Sequence, residues 1–292
     1  MLYYRIGDTC LYYRGEFPLT PEGLMERFRA GTKGRGGPDI LSYQVELRPL
    51  DDFVRATVLH YNGLSWLMEL DGERYLMFPW AWLRFGYALP LASLREGDTV
   101  RCLMDPRVGE QNPPLTTDRF FSTVGLHSKF LQRAAPVLHA AYVRFRDKAI
   151  LFTAPSGTGK STQADLWVRH AGAELVNGDR VLLRKWEGTW FAYGYPCAGS
   201  SDVCLDRTLP VAAIVVLAQG PENRVEDLRP GRRVRALFAG TEHYLWDEGE
   251  TELALSLAEK IAGEVPVLGL TCRPDEEAVE VLRDYLEKEG LL

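Results

Sequence analysis

The stretch "FTAPSGTGKSTQADLW", Phe152 to Trp167, follows an apolar run and leads into a helical pattern. It nearly matches G-x-x-x-x-G-K-[ST], a pattern in which a strand delivers a glycine-rich loop to a helix N-terminus. "KAILFT" supplies the strand, "APSGTGKS" fills the loop, and Lys160, Ser161 and Thr162 open the helix. Gly157 and Gly159 let successive backbone N–H groups point inward as a nest for anions. The helix N-terminus adds partial positive charge. Pro155, Ser156, Gly157, Thr158, Gly159, Lys160, Ser161 and Thr162 are therefore the expected phosphate-binding segment of an ATP site. Lys160 is placed to reach the β and γ phosphates, and the Ser161 hydroxyl to ligate the accompanying Mg²⁺. Ala154 stands where the pattern has its first glycine. Alanine is tolerated there provided that its φ is negative.

Motor and switch proteins with such loops carry a second, metal-linked carboxylate after an apolar strand. The best such run, "VAAIVVLAQG" at 211–220, ends in Gln219 and Gly220 without an acid. The nearest acid downstream of the loop helix is Asp179 in "AELVNGDRVLL". It ends the next strand, beside the loop, and becomes the candidate metal ligand. That placement points towards phosphoryl transfer and away from motor work.

The rest of the chain reads as two domains. Residues 1–115 suit a small α+β domain, mainly β. "LTPEGLMERFRA" predicts a short helix capped by Thr20, "SWLMELDGERYLMF" a hairpin turning at Asp71-Gly72, and "TVRCLM" another strand. "RAGTKGRGGPD" (29–39) reads as a long loop, and "MDPRVGEQNPPLTTD" (104–118) as the border. The aromatic runs "YYRIGDTCLYY" and "FPWAWLRFGY" read as core and interface, with a peptide-binding face as the alternative. Residues 116–292 suit an α/β domain. There "RFFSTVGLHSKFLQRA" predicts one helix, followed by strands "PVLHAAYVRF", "KAILFTA", "AELVN", "RVLLRKW", "TWFAYGY" and "VAAIVVLAQ". A final strand leads to a helix opened by Pro274 to Glu277 and ended by Gly290.

At 292 residues, 46% hydrophobic and 25% charged, the composition is that of a globular protein. A formal net charge of −6 offers no basic field for nucleic acid or an anionic membrane. The apolar runs are too short to cross a bilayer as helices, and no secretory signal is visible, so the expected compartment is the cytoplasm. Five scattered cysteines include no C-x-x-C pair. They read as packing thiols, Cys197 and Cys204 included.

From residue 119 to about 290 the chain resembles the catalytic domain of the HPr kinase/phosphorylase family, and more distantly ATP-using phosphoenolpyruvate carboxykinase. In "LHAAYVRFRDKAILFTAPSGTGKST", His139 lies fifteen residues before Ala154, the family distance. "ELVNGDRVLL" falls where the family has an Asp-Asp pair. "GYPCAGSS" and "QGPEN" are similar to stretches of HPr-kinase-related proteins from peptide-modification systems. The resemblance implies a P-loop α/β fold and ATP- and Mg²⁺-dependent transfer to a hydroxyl, with Ser or Thr of a protein or peptide as acceptor. It implies catalytic roles for His139, Lys160 and Asp179, with Ser161 and Asp179 on the metal. Related enzymes assemble, so a homo-oligomer is compatible with it, although no interface is legible. The first aspartate of the pair, credited with taking the acceptor's proton, is Gly178 here. Three readings stay open: a kinase acting on protein or peptide, a nucleotide-binding module with little catalysis, and a kinase of a small-molecule hydroxyl.

Overall fold

A computed structural model of the chain describes residues 1–15, 17–31, 39–61, 65–77, 91–93, 97–105 and 115–292. The expected loop at 29–39, the aromatic stretch 78–87 and the border at 104–118 fall wholly or partly outside them. The chain divides into two compact units, Met1–Leu126 and His127–Leu292.

In the first unit the described strands are β1 (Leu2–Ile6), β2 (Thr9–Gly15), β3 (Asp39–Leu47), β4 (Thr57–Tyr61), β5 (Trp66–Leu70), β6 (Glu73–Met77), β7 (Leu91–Ser93) and β8 (Thr99–Met104). They pair in the order β1-β2-β3-β8-β7-β6-β5-β4. The pairs β2–β3 and β3–β8 are parallel. The β5–β6 hairpin turns at Asp71 and Gly72, whose φ values of 52° and 77° are the left-handed conformations such a turn requires.

Helix α1 (Thr117–Thr123) packs in this first unit, although the sequence reading began the second domain at residue 116. Two consecutive phenylalanines explain it. Phe120 meets Tyr13 edge to face at 5.0 Å, and Phe121 meets Tyr4 at 5.4 Å, all four rings buried. The helix expected from Thr20 is instead a 3₁₀ turn, Leu24–Phe28. Gly23 breaks the run at φ 97°, and Thr20 is drawn into a bridge with Thr116. Asp118 caps the turn from outside, its Oδ1 accepting from Met25 N at 2.8 Å. The single helix expected from Arg119 is divided in two: α2 (Leu126–Leu131) begins after Gly125, whose φ is 68°.

The second unit contains β9 (Val137–Phe145), β10 (Lys148–Thr153), α3 (Lys160–Ala171), β11 (Glu174–Asn177), β12 (Arg180–Trp186), β13 (Thr189–Gly194), β14 (Thr208–Gln219), β15 (Arg224–Asp227), α4 (Pro230–Gly240), α5 (Glu248–Glu264), β16 (Val267–Cys272) and α6 (Glu276–Lys288). The sheet is mixed. β10, β14 and β16 run parallel, β15 is antiparallel to β16, and β9 is antiparallel to β10. β9 also carries β11 and β12, and β12 pairs with β13, which returns to β14. The pairings β10-β9-β12-β13-β14-β10 thus form a closed circuit.

Period-two alternation builds a core on each face. Ile150 and Phe152 of β10 pack with Trp167 of α3 and Leu282 and Leu286 of α6. Ala149 and Leu151 pack with Leu237 of α4 and Ile261 of α5. The α4–α5 pair was not anticipated from the sequence. α5 is capped by Asp247, which accepts from Glu250 N at 3.0 Å, and it buries Ala254, Leu257, Ala258 and Ile261 at helical spacing. Trp167 is fully buried and meets Phe145 edge to face at 5.3 Å. Trp167→Ala is expected to cost about 3–5 kcal/mol in a urea titration. A loss below about 1 kcal/mol would mean that α3 is not seated on this core.

Candidate functional site

β10 delivers the chain from a buried strand into the loop at Ala154. Gly157 and Gly159 have φ values of 79° and 117°, where a side chain is strained. A Cβ at either glycine would meet nothing within 4 Å, so backbone conformation, and not crowding, requires glycine there. Ala154 takes no positive φ, and its methyl fits without strain. Gly159 is the N-cap of α3, and no side chain caps that end. Lys160 is 7% exposed, and its Nζ donates to Ala154 O at 3.1 Å, folded back over the loop. Burial lowers its pKa, while the nearby Asp179 carboxylate partly offsets that shift. Ser161 and Thr162 are exposed.

Asp179 is held by its own turn. The buried Asn177 accepts from Asp179 N at 2.9 Å and from Arg180 N at 3.0 Å through Oδ1. Its Nδ2 donates to Tyr195 O at 2.6 Å. Such an Asx turn fixes the backbone where β11 passes into β12. Asp179 Oδ1 then lies 3.1 Å from His139 Nε2, and Oδ2 lies 2.5 Å from Arg180 Nη1. Arg180 Nε continues to Glu242 Oε1 at 2.5 Å. His139 is brought to this point by the β9–β12 register, which sets it opposite Arg180. Its carbonyl accepts from Thr153 Oγ1 at 2.9 Å, tying β9 to the strand that feeds the loop.

The hydrogen bond from His139 holds the Asp179 carboxyl below the usual carboxylate range. Burial opposes this shift, and Arg180 and Lys160 assist it. A depressed carboxylate pKa adds stability above the unfolded-state value, and that stability is lost as pH falls through the folded value. Asp179→Asn is therefore expected to flatten the acid limb of the melting profile below about pH 4. An unchanged acid limb would remove Asp179 from the list of groups that link folding to protons.

Gly178 is glycine because of what lies against it. A Cβ there would come within 2.0 Å of Ser201 Oγ and 3.0 Å of Ala198 O. Ser201 belongs to the 3₁₀ turn Gly199–Ser201, within the "GYPCAGSS" stretch, and its Oγ donates to Ala198 O at 2.8 Å. Gly199, at φ 59°, faces Asp179 in the same way. Gly178→Asp is expected to destabilise the fold by about 2 kcal/mol through overpacking, with part recovered by adding Ser201→Gly. Equal melting temperatures for Gly178→Asp and the native chain would contradict this packing.

Of the residues singled out in the sequence, His139, Lys160 and Asp179 are brought together. Of the three arginines that the sequence offers as possible phosphate contacts, Arg180 joins them, whereas Arg207 pairs with Glu174 at 3.6 Å and Arg224 with Glu226 at 3.7 Å. Glu242 and Asn177 were not anticipated, while Ser201 belongs to the "GYPCAGSS" stretch that carries part of the family resemblance. The "NGD" triplet carried a turn signal for Asn177, but Glu242 and Ser201 reach the site from distant segments. None of the five cysteines is in a disulfide, and the Cys197 thiol lies 3.9 Å from Asp179 Oδ2.

Among the described residues no group of three or more His, Cys, Asp or Glu could hold a metal ion by itself. The exposed Ser161 hydroxyl and the Asp179 carboxylate are hard oxygen donors, the type that Mg²⁺ takes. Among the described residues no helix is long and apolar enough to cross a membrane.

The chain matches no family model and no curated protein. Among solved structures it is similar to the Hpr(Ser) kinase/phosphatase from Coxiella burnetii, at 12% identity and a TM-score of 0.31. The match covers 53% of this chain and 98% of that one.

Proposed function

We propose that the second unit is an ATP- and Mg²⁺-dependent kinase of the HPr-kinase-like P-loop type. It transfers the γ-phosphoryl group to a hydroxyl, with Ser or Thr of a protein or short peptide as acceptor. The observation that carries this reading is the His139–Asp179 pair, held at 3.1 Å close enough to Lys160 for its charge to be felt there.

In this reading the loop N–H groups from Ser156 to Thr162 cradle the phosphates, and Lys160 Nζ leaves Ala154 O to meet the β and γ oxygens. Mg²⁺, when bound through Ser161 and Asp179, supplies neutralisation of charge on the transferring group. With Nε2–H held by Asp179, His139 keeps Nδ1 as the accepting nitrogen. The acceptor's proton passes to Nδ1 as its oxygen bonds to the γ-phosphorus and the β,γ-bridging P–O bond breaks. His139 thereby takes the work of the aspartate absent at 178. Arg180, anchored by Glu242, limits how far Asp179 can turn.

Gly178 favours a second reading, a nucleotide-binding module with little catalysis, because the crowding by Ser201 leaves no room for the missing acid. Incubation with γ-labelled ATP, Mg²⁺ and Ser- or Thr-containing peptides separates the two. The kinase predicts label recovered as a phosphoester on the peptide hydroxyl. ATP retained without transfer to peptides or small hydroxyl compounds supports the module.

A further inference from the structure

A cavity of about 400 Å³ adjoins the loop and shares Gly157, Thr158 and Gly159 with it. None of His139, Lys160 and Asp179 lines this cavity. Its other walls are Thr162 and Gln163 at the start of α3 and the C-terminal ends of β14 and β16. The volume lies in the range of small-molecule pockets.

Two features of its lining point to a ligand. Gln163 is 2% exposed; its Oε1 accepts from the Cys272 thiol at 3.9 Å, and its Nε2 is buried with no acceptor. A buried amide N–H without a partner is costly to the fold, so it signals a partner supplied from outside. Each of the three guanidinium nitrogens of Arg273 already donates one hydrogen bond within the protein. Nη1 donates to Pro221 O at 2.8 Å, Nε to Asp275 Oδ2 at 2.7 Å, and Nη2 to Glu277. With its charge neutralised by two carboxylates, Arg273 is a poor phosphate ligand. Held in this way, the guanidinium offers a fixed flat face, which stacks well on an aromatic ring. Gln219 fastens this wall to the loop, its Nε2 donating to Thr158 O at 3.3 Å.

We propose that this cavity takes the nucleoside end of the bound nucleotide, with the base lying on the Arg273 face and Gln163 Nε2 donating to a ring nitrogen. The proposal rests on the kinase reading for the presence of a nucleotide. It adds the direction in which the nucleotide lies: base towards β14 and β16, transferring phosphoryl towards Asp179.

Calorimetric titration with ATP and with inorganic tripolyphosphate, both with Mg²⁺, tests it. Gln163→Met keeps the side-chain volume and removes the donor; Arg273→Lys keeps the charge and removes the flat face. Each is expected to weaken ATP about tenfold, the worth of one hydrogen bond or stacked ring, and to leave tripolyphosphate unchanged. Gln163→Met is expected to hold or raise the melting temperature, since it removes an unsatisfied amide. Unchanged ATP affinity in both variants overturns the proposal and leaves the loop reading intact, as does equal weakening of ATP and tripolyphosphate. Failure of the native chain to bind either ligand overturns the loop reading, and this one with it.

Discussion

Lys160→Ala is expected to weaken nucleotide binding and phosphoryl transfer by roughly 10²–10³-fold, with the fold intact. The Nζ group sits in a site from which water is largely excluded, and its one hydrogen bond there is to the loop carbonyl of Ala154. Burial already lowers its pKa, so the ammonium is not what stabilises the native chain. In the proposed function that charge meets the polyphosphate where water screens least. Removing it takes away the largest positive charge on the loop while leaving Gly157, Gly159 and the α3 N-terminus in place. Filter binding with labelled ATP and a single-turnover transfer assay read the two effects, and melting temperature serves as the control. Native-like binding by the alanine variant would show that the loop does not hold phosphates through this residue.

Asp179→Asn is expected to lower the transfer rate on the order of 10³-fold while changing ATP affinity measured without Mg²⁺ much less. Asparagine keeps the size of the side chain but removes the negative charge facing His139, Arg180 and Lys160. Three consequences follow from the one change. In the proposed mechanism His139 loses the partner that fixes which nitrogen carries its proton and the metal loses a ligand, while Arg180 keeps Glu242 as its ion-pair partner and the backbone carbonyl of residue 179. The proposed mechanism has His139 and Asp179 act as a unit, so His139→Ala combined with Asp179→Asn is expected to be little worse than Asp179→Asn alone. Strictly multiplicative losses would mean that the pair does not share one step. Loss of ATP affinity without loss of rate would move Asp179 from transfer to simple binding.

Much of the second unit was legible because its signals are local. The strand, the two glycines at positive φ and the helix they open lie within twenty residues of chain, Lys148 to Trp167. The Asp71-Gly72 hairpin and the Asp275 cap of the last helix are local in the same sense. The failures came where contacts between distant residues override local preference. Thr20 is a good N-cap, yet a bridge to Thr116 and a carboxylate from Asp118 set the 3₁₀ turn instead. Phe120 and Phe121 read as the start of the second domain until Tyr4, Tyr13 and Tyr43 were found to enclose them.

The sequence by itself determined the strand, the turn and the helix from Lys148 to Ala171, because left-handed glycines and the helix they open are properties of a few consecutive residues. For Ala154 it set only the condition, a negative φ, and the folded backbone met it. The tertiary structure decided the rest of the site. Strand register brought His139 to Asp179, an ion pair from Glu242 braced Arg180, and the Gly199–Ser201 turn filled the space that a side chain at Gly178 would need. Each depends on segments separated by twenty to sixty residues whose meeting is set by sheet pairing and core packing, and neither is written in any one stretch of the chain.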